Sequence, residues 1–383
     1  MSDQKKYQRY ERQVILKNFG IQAQDKLFYA KILVIGAGGL GCPALQYLSA
    51  AGVGKIGIVD FDVVELTNLQ RQTLYTVNDI GKPKAITAAE KLKLFNPETQ
   101  YLVYQTKIEP KNALEIIEEY DLVIDGSDNF ATRYLVNDAC VLLHKPLVYG
   151  AILRYEGQVG VFNMPDKNSG YTANYRDLFP LPSNPATVPS CNEAGVLGVL
   201  PAIIGGFQAA EAIKICTGIG EPLCNKILSC NVLNNSFYEF NISPSKESSS
   251  YIPSTKEAFK NYNYEWFCSP GNPVNEITPA EFDDLRKREQ LIIIDVREED
   301  ELPLVNEFRY TQIPLSRFKE AALEISTENK IVVFCKSGKR SVTAVNALLK
   351  KYPNIVAYSL KGGIDNWKMY EHSNLKNSSP IQL

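Results

Sequence analysis

The chain has 383 residues, a length beyond one ordinary core, and so predicts two domains. With 45% hydrophobic and 22% charged residues it has the balance of a globular protein, and its net charge of −2 supplies no basic field, which excludes nucleic acid as an electrostatically held partner. The N-terminal MSDQKKYQRYERQ lacks the apolar core of a signal peptide, and the longest apolar stretch, around 194–204, is too short and too broken by Gly and Pro to span a bilayer, so a cytoplasmic protein with no membrane partner is expected.

In chain order, residues 7–19 read as one amphipathic helix. A buried strand at 31–35 runs into Gly36-x-Gly38-Gly39-x-Gly41, followed by a helix at 41–51 and a strand at 56–60 that ends in Asp60. Glycines here allow a tight turn and a close backbone approach to a phosphate, and the helix N-terminus adds free N–H groups. Asp60 stands where an acid would hold a ribose hydroxyl. The glycines alone suit NAD as well as ATP. Asn68, Arg71, Lys84 and Asp128 follow within reach in sequence, and two cations with a second acid suit triphosphate and Mg²⁺ better than hydride transfer. Two histidines and no Tyr-x-x-x-Lys leave common dehydrogenase chemistry poorly supplied.

Further strands are expected at 101–104, 121–125, 147–150 and 157–162, and helices at 83–94, 112–119, 130–143 and 201–216. This alternation predicts an α/β domain with a largely parallel, Rossmann-like sheet over residues 1–240. Residues 163–192 hold five prolines and little periodicity, which predicts a long mobile loop. A Ser- and Pro-rich linker is expected over 241–275, then a smaller α/β domain over 276–372 with strands at 291–295 and 330–335 and a helix at 341–351, and a polar tail at 373–383. The eight cysteines lie mostly in apolar or reactive-looking segments, which suits a reducing compartment. Cys42, Cys140 and Cys216 fall on apolar helix faces and read as packing residues.

The segments Arg9-Tyr-Glu-Arg12-Gln13, GAGGLG, DFDVVELTNLQRQ, DGSDNFATR, YGAILRYEGQVGVF and PSCNEAGVLGVLP occur in one order over residues 7–240. In these the chain resembles the ubiquitin-activating-enzyme-like adenylyltransferases of the MoeB/ThiF/HesA family. The resemblance implies MgATP-dependent adenylation of the C-terminal glycine of a small ubiquitin-like sulfur carrier ending in Gly-Gly. It implies that Gly36, Gly38, Gly39 and Gly41 cradle ATP and that Asp60 binds the ribose. Arg71 and Lys84 would contact phosphates, supported by Asn68 and Gln72, with Asp128 at the Mg²⁺ and α-phosphate region, acting on the metal directly or through water. Arg12 matches an arginine that reaches the nucleotide of a neighbouring subunit, which implies a homodimer. Cys191 matches a cysteine that takes part in covalent transfer in some relatives and is dispensable in others. The loop over 163–192 would cross over the carrier tail. For any one of these residues a purely structural role stays open: Arg71 and Lys84 as surface ion-pair partners, Asp128 as a helix cap.

The C-terminal part resembles a rhodanese domain in Asp295-Val-Arg297, in Cys335-Lys336-Ser337-Gly338-Lys339-Arg340-Ser341, and in Leu360-Lys-Gly-Gly363 through Trp367. Cys335 ends a strand and opens a loop whose N–H groups and cations favour a thiolate or persulfide. A cysteine-phosphatase loop is the rival, but it would place arginine six residues after the cysteine, where Ser341 stands. Together the two domains imply carrier adenylation followed by sulfur transfer from a persulfide or thiosulfate donor, in a pathway of molybdopterin, thiamin, cysteine or tRNA thiolation. Adenylation of a peptide without sulfur transfer, or a non-catalytic scaffold, are the alternatives. The family's zinc-binding Cys-x-x-Cys pairs are missing: Asn174 and Asp177 occupy the first, and no cysteine falls near Pro244-Ser-Lys-Glu. No structural zinc is expected.

Overall fold

The computed structural model describes residues 6–166, 170–182, 195–267, 275–318, 330–352 and 355–377. They form two units, divided at Cys268/Ser269.

In the first unit, apolar runs such as KILVI form strands buried on both faces, as parallel strands under helices must be. In chain order the strands of its sheet are β1 (Lys31–Ile35), β2 (Lys55–Val59), β3 (Gln100–Tyr104), β4 (Leu122–Asp125), β5 (Leu147–Leu153), β6 (Glu156–Phe162), β7 (Lys226–Asn231) and β8 (Ser236–Asn241). The sheet order is β8-β7-β6-β5-β4-β1-β2-β3. The five strands β3-β2-β1-β4-β5 are parallel, and β6, β7 and β8 continue antiparallel. Helices α1 (Gly20–Tyr29), α2 (Gly41–Ala51), α3 (Lys84–Phe95), α4 (Pro110–Glu118), α5 (Phe130–Leu142) and α6 (Val199–Thr217) cover it. Strand order reverses at β1, whose neighbours are β2 and β4, so the C-terminal ends of these strands open a crevice. Buried Gln208 on α6 donates from Nε2 to the Asp125 carbonyl at 2.7 Å and ties that helix to β4. By length and composition α6 could cross a membrane, yet it packs against α2, β5 and β6.

Three expectations change. Residues 7–19 do not form one helix: a short helix, Glu11–Val14, ends before Asn18, whose φ of 72° breaks the run ahead of α1. Within the expected loop, the described part carries a two-strand hairpin (Pro165–Asp166 and Gly170–Tyr171) and a helical turn, Tyr175–Leu178; the rest, with Cys191, lies outside the described residues. The expected linker is largely part of the first unit. After β8 the chain forms Lys246–Ser249, Lys256–Lys260 and Tyr264–Phe267, and Phe259, Tyr262, Tyr264 and Phe267 enter the same core as Leu33, Val123 and Tyr134. The Ser- and Pro-rich composition hid those four aromatics, whose burial holds the segment down.

The second unit is a five-stranded parallel sheet, order β9-β13-β12-β10-β11, made of β9 (Asn275–Ile277), β10 (Leu291–Asp295), β11 (Thr311–Gln312), β12 (Lys330–Phe334) and β13 (Ala357–Leu360). Helices α7 (Pro279–Arg288), α8 (Lys339–Lys351) and α9 (Gly363–Asn377) flank it. Its core centres on Phe282, Phe334 and Trp367, with Phe308 edge-on to all three.

Candidate functional site: a nucleotide crevice and a cysteine loop

At the end of β1 the chain turns through Gly36 at φ 89°, where a Cβ would lie 2.8 Å from the Gly126 carbonyl. The turn brings β1 and β4 together and delivers the N-terminus of α2, which has no side-chain cap, to the crevice. A cavity of about 720 Å³ opens there, lined by Gly36, Gly38, Gly39, Asp60, Asn68, Arg71, Gln72, Lys84, Asp128 and their neighbours. Gly41 begins α2 beside it. The cavity therefore gathers the ribose and phosphate residues expected of one chain. Exposed Arg12, on the short helix before α1, does not line it.

Asp60 accepts the Ala37 N–H and the Asp62 N–H, both at 2.8 Å. Burial pushes its carboxyl up, and those two bonds with the charge of Lys84 oppose the shift. The Lys84 ammonium is buried and pairs with Asp62 at 3.2 Å, while Arg71 donates to the Thr67 carbonyl at 3.0 Å. The Tyr75 hydroxyl lies 2.8 Å from the Ala37 carbonyl and 3.2 Å from the Lys84 carbonyl. The cap of α5 is Asn129, which accepts the Thr132 N–H at 2.9 Å, so the exposed Asp128 beside it is not engaged as the cap. Asn68 has a structural share, its Oδ1 accepting the Glu65 N–H at 3.2 Å.

Sequence reasoning passed over Asp62, Ser127 and Arg133. All three line the cavity, and all lie inside motifs already quoted, DFDVVELTNLQRQ and DGSDNFATR. Arg133 donates to the Ser127 carbonyl at 3.2 Å and lies over the Tyr149 ring at 5.8 Å. Behind it, burial raises the Asp125 carboxyl against the pull of Arg133. The residues fit a nucleotide: Gln72 Oε1 is buried at this cavity with no partner among the described residues, which is costly unless a ligand or water supplies one. Cys42 and Cys216 have thiols pushed up to about 12 by burial, and Cys140 shifts the same way, as packing residues do.

Asn174 and Asp177, where the resemblance would place a Cys-x-x-Cys pair, hold no thiol and form a clasp. Asp177 accepts Asn174 N and Nδ2, both at 2.8 Å, the Ser245 N–H at 2.8 Å, and the Ser248 hydroxyl. One carboxylate thus joins 174–177 to 245–248. Next to it, fully buried Arg176 binds Asp138 in a fork, 2.8 and 2.7 Å, and the Tyr264 hydroxyl donates to the same carboxylate at 2.9 Å. No group of three or more His, Cys, Asp or Glu fit to hold a metal occurs among the described residues.

In the second unit Cys335 directly follows β12 and is 1% exposed. The Ser341 N–H points at Sγ from 3.4 Å and the Ser341 hydroxyl lies at 3.6 Å. A Cβ at Gly363 (φ 64°) would lie 2.4 Å from the Cys335 carbonyl, so only glycine lets α9 close on the loop, where Ile364 N–H donates to that carbonyl at 2.9 Å. Buried Arg297 is held by Asp295 at 2.6 Å and donates to the Pro303 carbonyl at 2.8 Å. Lys336, Ser337 and Lys339 are exposed; Arg340 is half-buried against Glu301, and Gly338 takes φ 91° at the start of α8.

A glycine cradle, buried lysine and helix N-terminus at a strand-order reversal define a nucleotide-using α/β enzyme, joined here to a domain that carries a cysteine loop. The ThiF family profile matches residues 10–251, and that of the rhodanese-like domain matches residues 278–370. The chain belongs to the ThiF family. It is 42% identical over 369 residues to "Probable adenylyltransferase/sulfurtransferase MoeZ" of Mycobacterium tuberculosis, covering 94% of this chain and 92% of that protein. It is 52% identical over 234 residues to the sulfur carrier protein adenylyltransferase of Thermus thermophilus, covering 61% of this chain and 86% of that one. Adenylyltransferase and sulfurtransferase MOCS3 of Xenopus laevis is 36% identical, covering 94% and 85%. Among solved structures, E. coli MccB with ATP is 25% identical with a TM-score of 0.52, covering 59% of this chain and 67% of that chain. The chain is an adenylyltransferase that uses ATP and has sulfurtransferase activity.

Proposed function

We propose that the first unit adenylates the C-terminal glycine carboxylate of a small ubiquitin-like sulfur carrier, that a persulfide on Cys335 then displaces AMP to form an acyl disulfide, and that the thiol left by a persulfide donor cleaves its S–S bond, releasing the carrier thiocarboxylate and leaving Cys335 in a mixed disulfide. The observation that carries this reading is the fusion itself: the nucleotide crevice and the cysteine loop stand on one chain, as in relatives named for both activities. The rhodanese-like domain has no task in peptide adenylation alone. In adenylation the carboxylate attacks the α-phosphate and pyrophosphate leaves. Negative charge builds on phosphate oxygens, and preorganised cations and N–H groups are the stabilisers such a step requires. Lys84 and Arg71 serve the phosphates, Asp60 the ribose, and Asp128 a Mg²⁺ ion directly or through water. Lys84 exchanges Asp62 for phosphate when nucleotide enters. Arg12, exposed on its own subunit, serves the nucleotide of a partner in a homodimer, and the enzyme works in the cytoplasm. Cys191 relays the acyl group or is bystander to it.

No structural zinc is part of this reading, because the Asp177 clasp does in hydrogen bonds what thiolates would do with metal. Elemental analysis should find no stoichiometric zinc; about one zinc per chain would demand non-thiolate ligands. The two activities separate in one experiment on the full chain. Cys335→Ala should keep carrier-dependent ATP–pyrophosphate exchange and lose sulfur transfer. Loss of both, or of neither, contradicts the proposal.

A further inference from the structure

The loop 335–341 presents two exposed lysines, Lys336 and Lys339, and one half-buried arginine, Arg340. Arg340 directly precedes Ser341, whose N–H faces the Cys335 sulfur. Its guanidinium is already occupied. Glu301 takes both arms of the fork, NH2 to Oε2 at 2.6 Å and NH1 to Oε1. This is the geometry in which arginine otherwise recognises a small oxyanion.

Glu301 is no casual visitor. The Glu298 N–H donates to its Oε1 at 3.1 Å. Arg297 holds the segment through the Pro303 carbonyl at 2.8 Å, and Ser316 donates to the Glu298 carboxylate at 3.0 Å. Residues 298–301 read Glu-Glu-Asp-Glu, an acidic strap that meets the loop at Arg340 through Glu301. The bond from Arg340 holds the Glu301 carboxyl down at about 2, so that carboxylate stays charged at any working pH.

We infer that Glu301 sets donor selectivity at the cysteine loop: by occupying Arg340 it disfavours small dianionic sulfane donors such as thiosulfate and leaves persulfides of thiols as the favoured donors. This rests on the reading of Cys335 as the sulfur-carrying nucleophile. With thiosulfate, the Cys335 thiolate attacks the sulfane sulfur and a new S–S bond forms. The bond to the sulfonate sulfur breaks, its electron pair leaves with sulfite, and Cys335 keeps a persulfide anion. The sulfonate oxygens want a cation beside the sulfur, and here they must displace a tethered carboxylate and approach an acidic strap. A thiol persulfide transfers the same sulfur with a thiolate leaving group and brings no sulfonate, so it meets no such competition.

The test uses the full chain carrying Glu301→Gln, which keeps shape and one acceptor while removing the charge. Thiosulfate:cyanide transfer should gain about three- to tenfold in kcat/KM, through KM, as expected for releasing one partly exposed charged pair. Transfer from glutathione persulfide should not change. Inert sulfate gives a readout apart from turnover: the sulfate concentration that half-protects Cys335 from neutral iodoacetamide, followed by peptide mass spectrometry, should fall by the same factor. Alkylation without sulfate should match the parent. Unchanged thiosulfate KM and sulfate protection would overturn the inference. So would faster alkylation with no gain in sulfate protection, which would assign Glu301 to loop support. Cys335→Ala run alongside tests the underlying reading separately: persistent thiosulfate turnover there would remove Cys335 as the nucleophile, whatever Glu301 does.

Discussion

At the scale of residues, a few charged groups line the nucleotide crevice. Lys84 is buried and opposes Asp62 at 3.2 Å; Arg71 leans on a backbone carbonyl; Asp128 stands exposed beside the Asn129 cap. Replacing Lys84, Arg71 or Asp128 by Ala should lower carrier-dependent ATP–pyrophosphate exchange on the order of 10²–10³, the usual cost of losing one preorganised electrostatic contact. Normal exchange by Asp128→Ala would remove it from the site. That these residues line one cavity could be expected from the short motifs that hold them, Arg71 in DFDVVELTNLQRQ, Lys84 in Gly81-Lys-Pro-Lys84 at the start of α3 and Asp128 in DGSDNFATR. Asp62 and Arg133 lay in the same motifs and went unassigned. Their part comes from partners distant in sequence, Lys84 and Tyr149, which no local pattern displays. The Asp177 clasp was hidden for the same reason: Asn174 and Asp177 read as lost ligands, and only the fold brings Ser245 and Ser248 to them.

At the scale of elements, the alternation of apolar strands and helices announced β1 to β6 within a residue or a few, because buried parallel strands are nearly pure apolar runs. It did not announce β7 and β8, where exposed Phe237 and Tyr238 sit on an edge strand with polar neighbours. Nor did it show that residues 241–267 pack on the sheet. That packing has a keystone in Asp138, which holds buried Arg176 and Tyr264 together. Asp138→Ala should cost the first unit about 3–5 kcal/mol, since it strands a buried guanidinium. Urea unfolding measures it, and a loss no larger than that of a surface substitution would deny the pair its role. In the second unit, Glu301 supplies a pH dependence. Its carboxyl is depressed from 4.5 to about 2 by Arg340, so its stabilisation is full above the unfolded value and is lost as pH falls from there towards 2. Trp367 reports on this unit alone in a Trp266→Phe background, the chain having two tryptophans. Acid unfolding followed there should lose that part of its pH dependence in Glu301→Gln. An unaltered acid profile would count against the pair.

At the scale of the whole molecule, two units with separate cores and separate chemistry share one chain. Homodimer formation is testable through Arg12. Mixing Arg12→Ala with Asp128→Ala subunits should restore exchange at sites that contain neither change, and no recovery would argue against action between subunits. The central claim is that adenylation at the crevice and sulfur transfer at Cys335 act in series on one carrier. Intact-mass spectrometry of a Gly-Gly-ending carrier, incubated with MgATP, a thiol persulfide and the full chain, tests it most directly. The account predicts a carrier heavier by about 16 Da, oxygen replaced by sulfur through acyl transfer to a sulfur nucleophile. It predicts no such species with Cys335→Ala. A full yield of thiocarboxylate from the Cys335→Ala enzyme, with no free sulfide present, would contradict it.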